Sequence, residues 1–171
     1  MLEEALPDGP PRIRSIPAGL PSVQRRGNCG SMTENRETPR GRLRFMDLEF
    51  RPSPDGHGTV VVRMEWRGET LTGEASGVAT REGDLRMGAN ASLATIRAVA
   101  GEAVDAELVG VKAVRAFDSW VVIASVRAQA LGRDHRLLGA KAVDDQADLT
   151  RGAAIAVLDS LNRVLEKAVQ S

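Results

Sequence analysis

The sequence predicts an α+β domain made of two successive βββα units, related by a pseudo-twofold axis and layered as sheet and helices. Alternating apolar residues indicate the strands, and apolar residues three and four positions apart indicate the two helices. The phrase Asp-Leu-x-x-Gly-Ala also occurs twice, at residues 84–89 and 148–153. Because the order of elements, turns and helix starts matches as well, the repeat indicates an internal duplication.

The first 41 residues differ from the rest of the chain. They are rich in proline and have no sustained apolar period, which predicts a disordered tail over residues 1–41. An alternative is that translation begins at Met32, in which case Cys29 would not be part of the protein. The predicted domain covers residues 42–171.

The first unit begins with the extended segment RLRFMDLEF, followed by the alternating segment TVVVRMEW. The alternating side chains are Val60, Val62, Met64 and Trp66. Arg67-Gly68 predicts a tight reversal into the returning strand ETLTGEASG. Asp84 is the predicted N-cap of the first helix, and Gly101 is its predicted end.

The second unit repeats this order. The segment AELVGVKAVRAF is extended, Asp118-Ser119 is a predicted turn, and WVVIASVRAQA alternates along its length. The segment HRLLGAKAV is the predicted returning strand. Asp148 then opens the last helix, in the position that Asp84 occupies in the first unit.

Composition excludes several classes of function. The 171 residues carry a formal net charge of +0 and only 3% aromatic residues, which argues against nucleic-acid binding. A single cysteine and two histidines predict neither a disulfide within the chain nor a metal site, and no cofactor is expected. The sequence contains no apolar run of membrane-spanning length and no export signal, so we expect a cytoplasmic protein without membrane contact.

The last predicted helix, DLTRGAAIAVLDSLNRVL, resembles the closing helix of the regulatory domain of 2-isopropylmalate synthase, also called the LeuA allosteric or dimerisation domain. Asp148-Leu149 stands where that helix has Asp-Ile, and Leu161-Asn162-Arg163 matches its Leu-Asn-Arg. The order βββα–βββα is also similar, and the resemblance covers roughly residues 42–168.

This resemblance implies a non-catalytic homodimer that binds a small effector such as leucine near its helix starts and regulates a partner enzyme. The chain lacks the catalytic barrel of that family and its His-x-His metal pair, so we expect no enzymatic activity and no catalytic residues. Between Gly77 and Asp84 the chain carries a longer loop without the family's proline. That departure favours the alternative of a structural or assembly module that has no ligand.

The two helix starts are the candidate ligand site, because free N–H groups there attract a carboxylate and nearby aspartates attract an ammonium group. The predicted ligand-binding residues are Gly77, Asp84, Gly88, Ala89, Asp144, Asp145, Asp148 and Gly152. The competing interpretation is that the aspartates only cap or precede helices and that the helix glycines only allow tight packing. Ile155 is either a dimer contact or an ordinary exposed apolar residue.

Overall fold

Two βββα units follow one another along the chain, as the repeat predicted. The computed structural model describes residues 42–169, which lie in one compact unit. The predicted tail and the alternative start at Met32 lie outside these residues. The elements of the first unit are β1 (Arg44–Pro52), β2 (His57–Trp66), β3 (Glu69–Val78) and α1 (Arg81–Ala100). Those of the second are β4 (Val104–Ala116), β5 (Ser119–Ala130), β6 (Arg133–Val143) and α2 (Leu149–Val169).

Each unit forms its own three-stranded antiparallel sheet, in the orders β1-β2-β3 and β4-β5-β6. The inner face of each sheet is apolar and packs on the helices. Its central residues Val62 and Ala124 are fully buried, as the alternation predicted. Beside them lie Gly73 and Gly139, where an added Cβ would collide with the carbonyl oxygens of the adjacent helix. Both helices therefore pack backbone against backbone on their sheets.

The two helices also pack against each other. The Ser92 hydroxyl donates a buried hydrogen bond of 2.9 Å to the Ala154 carbonyl, across the contact between α1 and α2. Because α1 contacts its sheet, α2 and β4, residues on more than one side of the helix are buried, including Met87 and Thr95. A single apolar core thus runs through both units.

Each helix also binds the first strand segment of the other unit. Arg97 of α1 donates a hydrogen bond of 2.6 Å to the Ala106 carbonyl in β4. Asn162 of α2 accepts from the Leu43 N–H at 3.2 Å and donates to the Leu43 carbonyl at 3.1 Å. These reciprocal contacts are what a pseudo-twofold relation between the units requires.

The capping residues at the two helix starts differ from the predicted ones. Thr80, not Asp84, caps α1, and its hydroxyl accepts from the Gly83 N–H at 3.1 Å. Asp145 caps the 3-10 turn before α2 and accepts from the Ala147 N–H at 3.2 Å. Asp84 is the fourth residue after its cap, whereas Asp148 is the third after its own. The repeated phrase is therefore one residue out of step with the structure.

The hairpin turns follow the sequence closely. Arg67-Gly68 has positive φ at both residues, as type I′ turns require, and so does Leu131-Gly132. The turn between β4 and β5 is Phe117-Asp118, one residue earlier than predicted, with a positive φ at Phe117. Gly101 ends α1 as predicted. No helix within residues 42–169 is long and apolar enough to cross a membrane.

Candidate functional site

A cavity of about 400 Å³ opens where the two helix starts meet β1. We call it the helix-start pocket. Its volume lies in the usual range for small-molecule sites. The lining residues are Asp47, Leu48, Phe50, Asp84, Ala147, Asp148, Thr150 and Arg151. The structure thus brings together the two aspartates that the sequence placed at separate helix starts.

Asp84 is the most unusual group in the helix-start pocket. Its Oδ1 atom is buried and has no hydrogen-bond partner among the described residues. Burial raises the pKa of this carboxyl, because removal from water disfavours the charged form. A buried acceptor without a partner typically costs about 1–3 kcal/mol. The site therefore carries an electrostatic cost that a cationic or hydrogen-bond-donating ligand would offset.

The other charged groups of the pocket differ in their surroundings. Asp47 accepts a hydrogen bond of 2.6 Å from Arg63, and this bond holds the pKa of the Asp47 carboxyl below its usual range. Asp148 ends the 3-10 turn and is exposed. The Arg151 guanidinium, in the first turn of α2, lies 5.4 Å from the centre of the Phe45 ring. The pocket thus presents both acidic groups and one guanidinium.

The apolar wall of the pocket comes from β1. Leu48 is half-buried, and the Phe50 side chain remains 40% exposed. One edge of the Phe50 ring contacts Gly58 of β2, where an added Cβ would come within 2.6 Å of the ring carbons Cε2 and Cζ. Gly58 therefore leaves room for the Phe50 ring beside the pocket. An apolar ligand portion would contact these two side chains.

Six of the predicted ligand-binding residues do not line the pocket. Asp144 is exposed before the 3-10 turn, and Asp145 caps that turn. Ala89 is fully buried in the core. Gly77 packs under Met87, with 3.5 Å from an added Cβ to the Met87 Sδ.

The last two of these six are the helix glycines, Gly88 and Gly152. Each allows close packing, but against a different element. At Gly88 a Cβ would collide with the Thr150 carbonyl of α2, so this glycine lets the two helices touch beside the pocket. At Gly152 a Cβ would lie 3.0 Å from Val122 and Val143 of the second sheet. Counted from the helix caps, Gly152 corresponds to Met87 rather than to Gly88. Ile155, the predicted dimer contact, is half-buried.

Sequence reasoning missed the contribution of β1. Asp47 and Phe50 line the pocket but stand in a strand that was predicted only as part of the sheet, and Arg151 stands at the start of α2, where other residues were predicted to bind the ligand. Arg151 lies within the repeated phrase, between Asp148 and Gly152. This position was the one feature of the sequence that could have indicated its place in the pocket. Asp47 and Phe50 reach the pocket only through tertiary structure, which no local pattern predicts.

Within residues 42–169 the structure contains no group of three His, Cys, Asp or Glu side chains placed to hold a metal ion. The chain matches no protein-family model, and a search of curated proteins gives no match. The resemblance to the regulatory domain of 2-isopropylmalate synthase thus rests on the quoted residues, and it remains a prediction.

Proposed function

We propose that this protein is a non-catalytic regulatory domain that binds an amino-acid-like metabolite in the helix-start pocket and acts as a homodimer on a partner enzyme. The observation that carries the proposal is the buried, unpartnered Asp84 carboxylate oxygen at the edge of a ligand-sized cavity. The expected compartment is the cytoplasm.

The chemistry of the pocket favours a ligand with three parts. Asp84 and Asp148 suit an ammonium group, since both carboxylates line the cavity while Asp47 is already paired with Arg63. Arg151 and the N–H groups at the start of α2 suit a carboxylate. Leu48 and Phe50 suit an aliphatic side chain. Leucine has all three parts, and it is also the effector that the family resemblance implies.

A thermal-shift screen of the full chain tests the ligand class. Leucine, 3-methylbutylamine and 4-methyl-2-oxopentanoate share one side chain, but the second lacks the carboxylate and the third lacks the ammonium group. A ligand at a hundred times its Kd adds roughly 2.7 kcal/mol of stability, which shifts Tm by several degrees. We expect leucine or another α-amino acid to shift Tm more than either truncated analogue does.

Matched variants locate the binding site. Asp84→Ala and Asp148→Ala should each abolish the shift, whereas Asp144→Ala should retain it because Asp144 lies outside the pocket. Circular dichroism establishes that each variant is folded. If no α-amino acid shifts Tm, or if Asp144→Ala weakens binding as much as the pocket variants do, the proposed ligand site is wrong.

The second candidate function is an assembly module without a ligand. It is favoured by the exposed apolar side chains on the outer face of the second sheet, among them Leu138 at 74% exposure. Under this alternative the amino-acid screen gives no shift, yet the chain still self-associates.

A further inference from the structure

The outer faces of the two sheets can be compared row by row, because strand pairing and β-bulges correspond. In both units the first strand is interrupted at one residue, Met46 in β1 and Val109 in β4. Counting from these bulges, Val61 between Glu49 and Glu74 corresponds to Ile123 between Lys112 and Ala140. The same skeleton therefore carries different side chains.

Two further rows show the same replacement. Arg63 lies between Asp47 and Thr72 in the first sheet, and its counterpart Ser125 lies between Gly110 and Leu138. The row of Arg51, Thr59 and Ser76 corresponds to the row of Val114, Val121 and Ala142. The rows that are largely charged or hydroxylated in the first sheet are mostly aliphatic in the second, where Lys112 and Ser125 are the polar exceptions.

We call Val114, Val121, Ile123, Leu138, Ala140 and Ala142 the apolar face. Leu138 is 74% exposed, Val114 is 41% exposed and Ile123 is 38% exposed. The fold does not require apolar residues at most of these positions, because the first sheet has the same architecture with a polar residue at every corresponding position except Val61. Contiguous exposed apolar surface of this kind marks an interaction site in soluble proteins.

We propose that the apolar face is where a second copy of this chain docks, so that two second sheets pack face to face. This inference rests on the homodimer of the proposed function, but not on ligand binding in the helix-start pocket. The apolar face takes up three rows of a sheet whose strands have 13, 12 and 11 residues. At ~3.3 Å per residue and ~4.8 Å between strands the whole outer surface of this sheet covers roughly 550 Å² in projection. Because side chains enlarge the accessible area, packing of the whole outer surface, with the apolar face within it, approaches the ~800 Å² per partner of a standard interface.

A twofold axis parallel to β5 places the apolar rows of one copy on those of the other. It also places Glu107 at one edge of the sheet opposite Arg136 at the other edge of the second copy. Arg127, on β5 between them, faces its own copy, but its charge is paired with Glu107 at 3.2 Å within each chain. Lys112, the one charged residue in the three apolar rows, stands on the edge strand β4, where its ammonium group stays in water. The twist of both sheets separates the corners, which leaves Asp105 and Asp134 solvated.

The test uses the full chain in sedimentation velocity experiments across a wide concentration range. We expect a reversible dimer whose dissociation constant Leu138→Glu raises at least about tenfold, because a carboxylate is then buried without a partner. Thr72→Glu is the matched control. It places the same charge at the corresponding row of the first sheet and should leave the dimer unchanged. Val121→Glu provides a second variant within the apolar face, because on β5 it places two like charges opposite each other across the proposed axis.

Cross-linking tests the axis directly. In a Cys29→Ser background, Ile123→Cys lies on the proposed axis and should be joined to its copy by a short bismaleimide, whereas Thr72→Cys should not. A monomer at every concentration overturns the pairing and the homodimer, and leaves the apolar face to a different protein. A dimer that Thr72→Glu weakens and Leu138→Glu does not overturns the apolar face alone. In either case the amino-acid screen reports separately on the ligand.

Discussion

The outer face of the first sheet and that of the second lie at corresponding positions behind their helices, but their chemistry differs. The first carries an ion-paired network in which Arg63 contacts Asp47 at 2.6 Å and Glu49 at 3.8 Å. The second keeps one ion pair, between Arg127 and Glu107 at 3.2 Å. That pair corresponds to Arg44 and Glu65 of the first sheet with the signs exchanged. The inner faces are alike because both must pack on helices, whereas the outer faces are free to differ and carry different side chains.

The largest expected effect tests whether both units depend on the same close contact between a strand glycine and the helix backbone. Gly73→Ala and Gly139→Ala should each cost about 3 kcal/mol or more, because the added Cβ meets helix backbone that has no room to shift. Urea unfolding monitored by circular dichroism measures both. Gly110→Ala is the control, since nothing lies within 4 Å of its Cβ. Losses below about 0.5 kcal/mol at Gly73 or Gly139 would contradict the close packing.

The contacts between units give a second comparison. Asn162 is 5% exposed and satisfies both backbone groups of Leu43, so Asn162→Ala should cost about 2–3 kcal/mol. Its counterpart Arg97 makes one hydrogen bond, to the Ala106 carbonyl, from an exposed position. Arg97→Ala should therefore cost about 1 kcal/mol or less. Equal losses in denaturant unfolding would show that the two links are energetically equivalent and would contradict this ranking.

Asp84 distinguishes the helix start of the first unit from that of the second. Its folded-state pKa is raised above 3.8, so the native state binds the proton more tightly than the unfolded state does. As pH falls through the folded-state pKa towards 3.8, protonation of Asp84 therefore increases the stability of the native state. Asp84→Asn should stabilise the protein by about 1 kcal/mol near neutral pH, and the gain should shrink as pH falls. Thermal unfolding across pH measures it, with Asp148→Asn as the control.

The smallest expected effect concerns the ion pairs of the first sheet. Arg63→Ala should lower the stability only slightly, because the pair is exposed and screened by salt. The loss relative to wild type should shrink further in 1 M sodium chloride, where the Debye length is about 3 Å. A loss that salt does not change would indicate that Arg63 acts through packing of its aliphatic stem.

Local pattern was sufficient to predict most of the fold. The alternation around Val62 and Ala124, the turn at Arg67-Gly68 and the helix end at Gly101 are all properties of neighbouring residues, and the structure confirms them. The prediction of the α1 cap was wrong, because Thr80 and Asp84 both suit an N-cap. The fold selects Thr80, since α1 begins directly after the returning strand. The identical phrases suggested that Asp84 and Asp148 occupy the same position in their helices, but these positions, counted from the caps, differ by one residue.

The site was only half predictable. Asp84 and Asp148 were expected at helix starts, and both line the helix-start pocket. Asp47 and Phe50 come from a strand about thirty residues before α1, and their position at the pocket depends on how β1 packs beside α2. The apolar face was also missed, because its alternation follows the same period of two as the buried face. Which side of a strand meets solvent is decided by tertiary structure.

The link between Asn162 and Leu43 spans 119 positions of the chain. Translation delivers the first strand long before the helix that supplies its last hydrogen bonds. While the second unit is synthesised, the nascent first unit therefore lacks the hydrogen bonds to Leu43 and the helix packing that α2 supplies. We therefore expect the two βββα units to complete their native structure together, once α2 has left the ribosome.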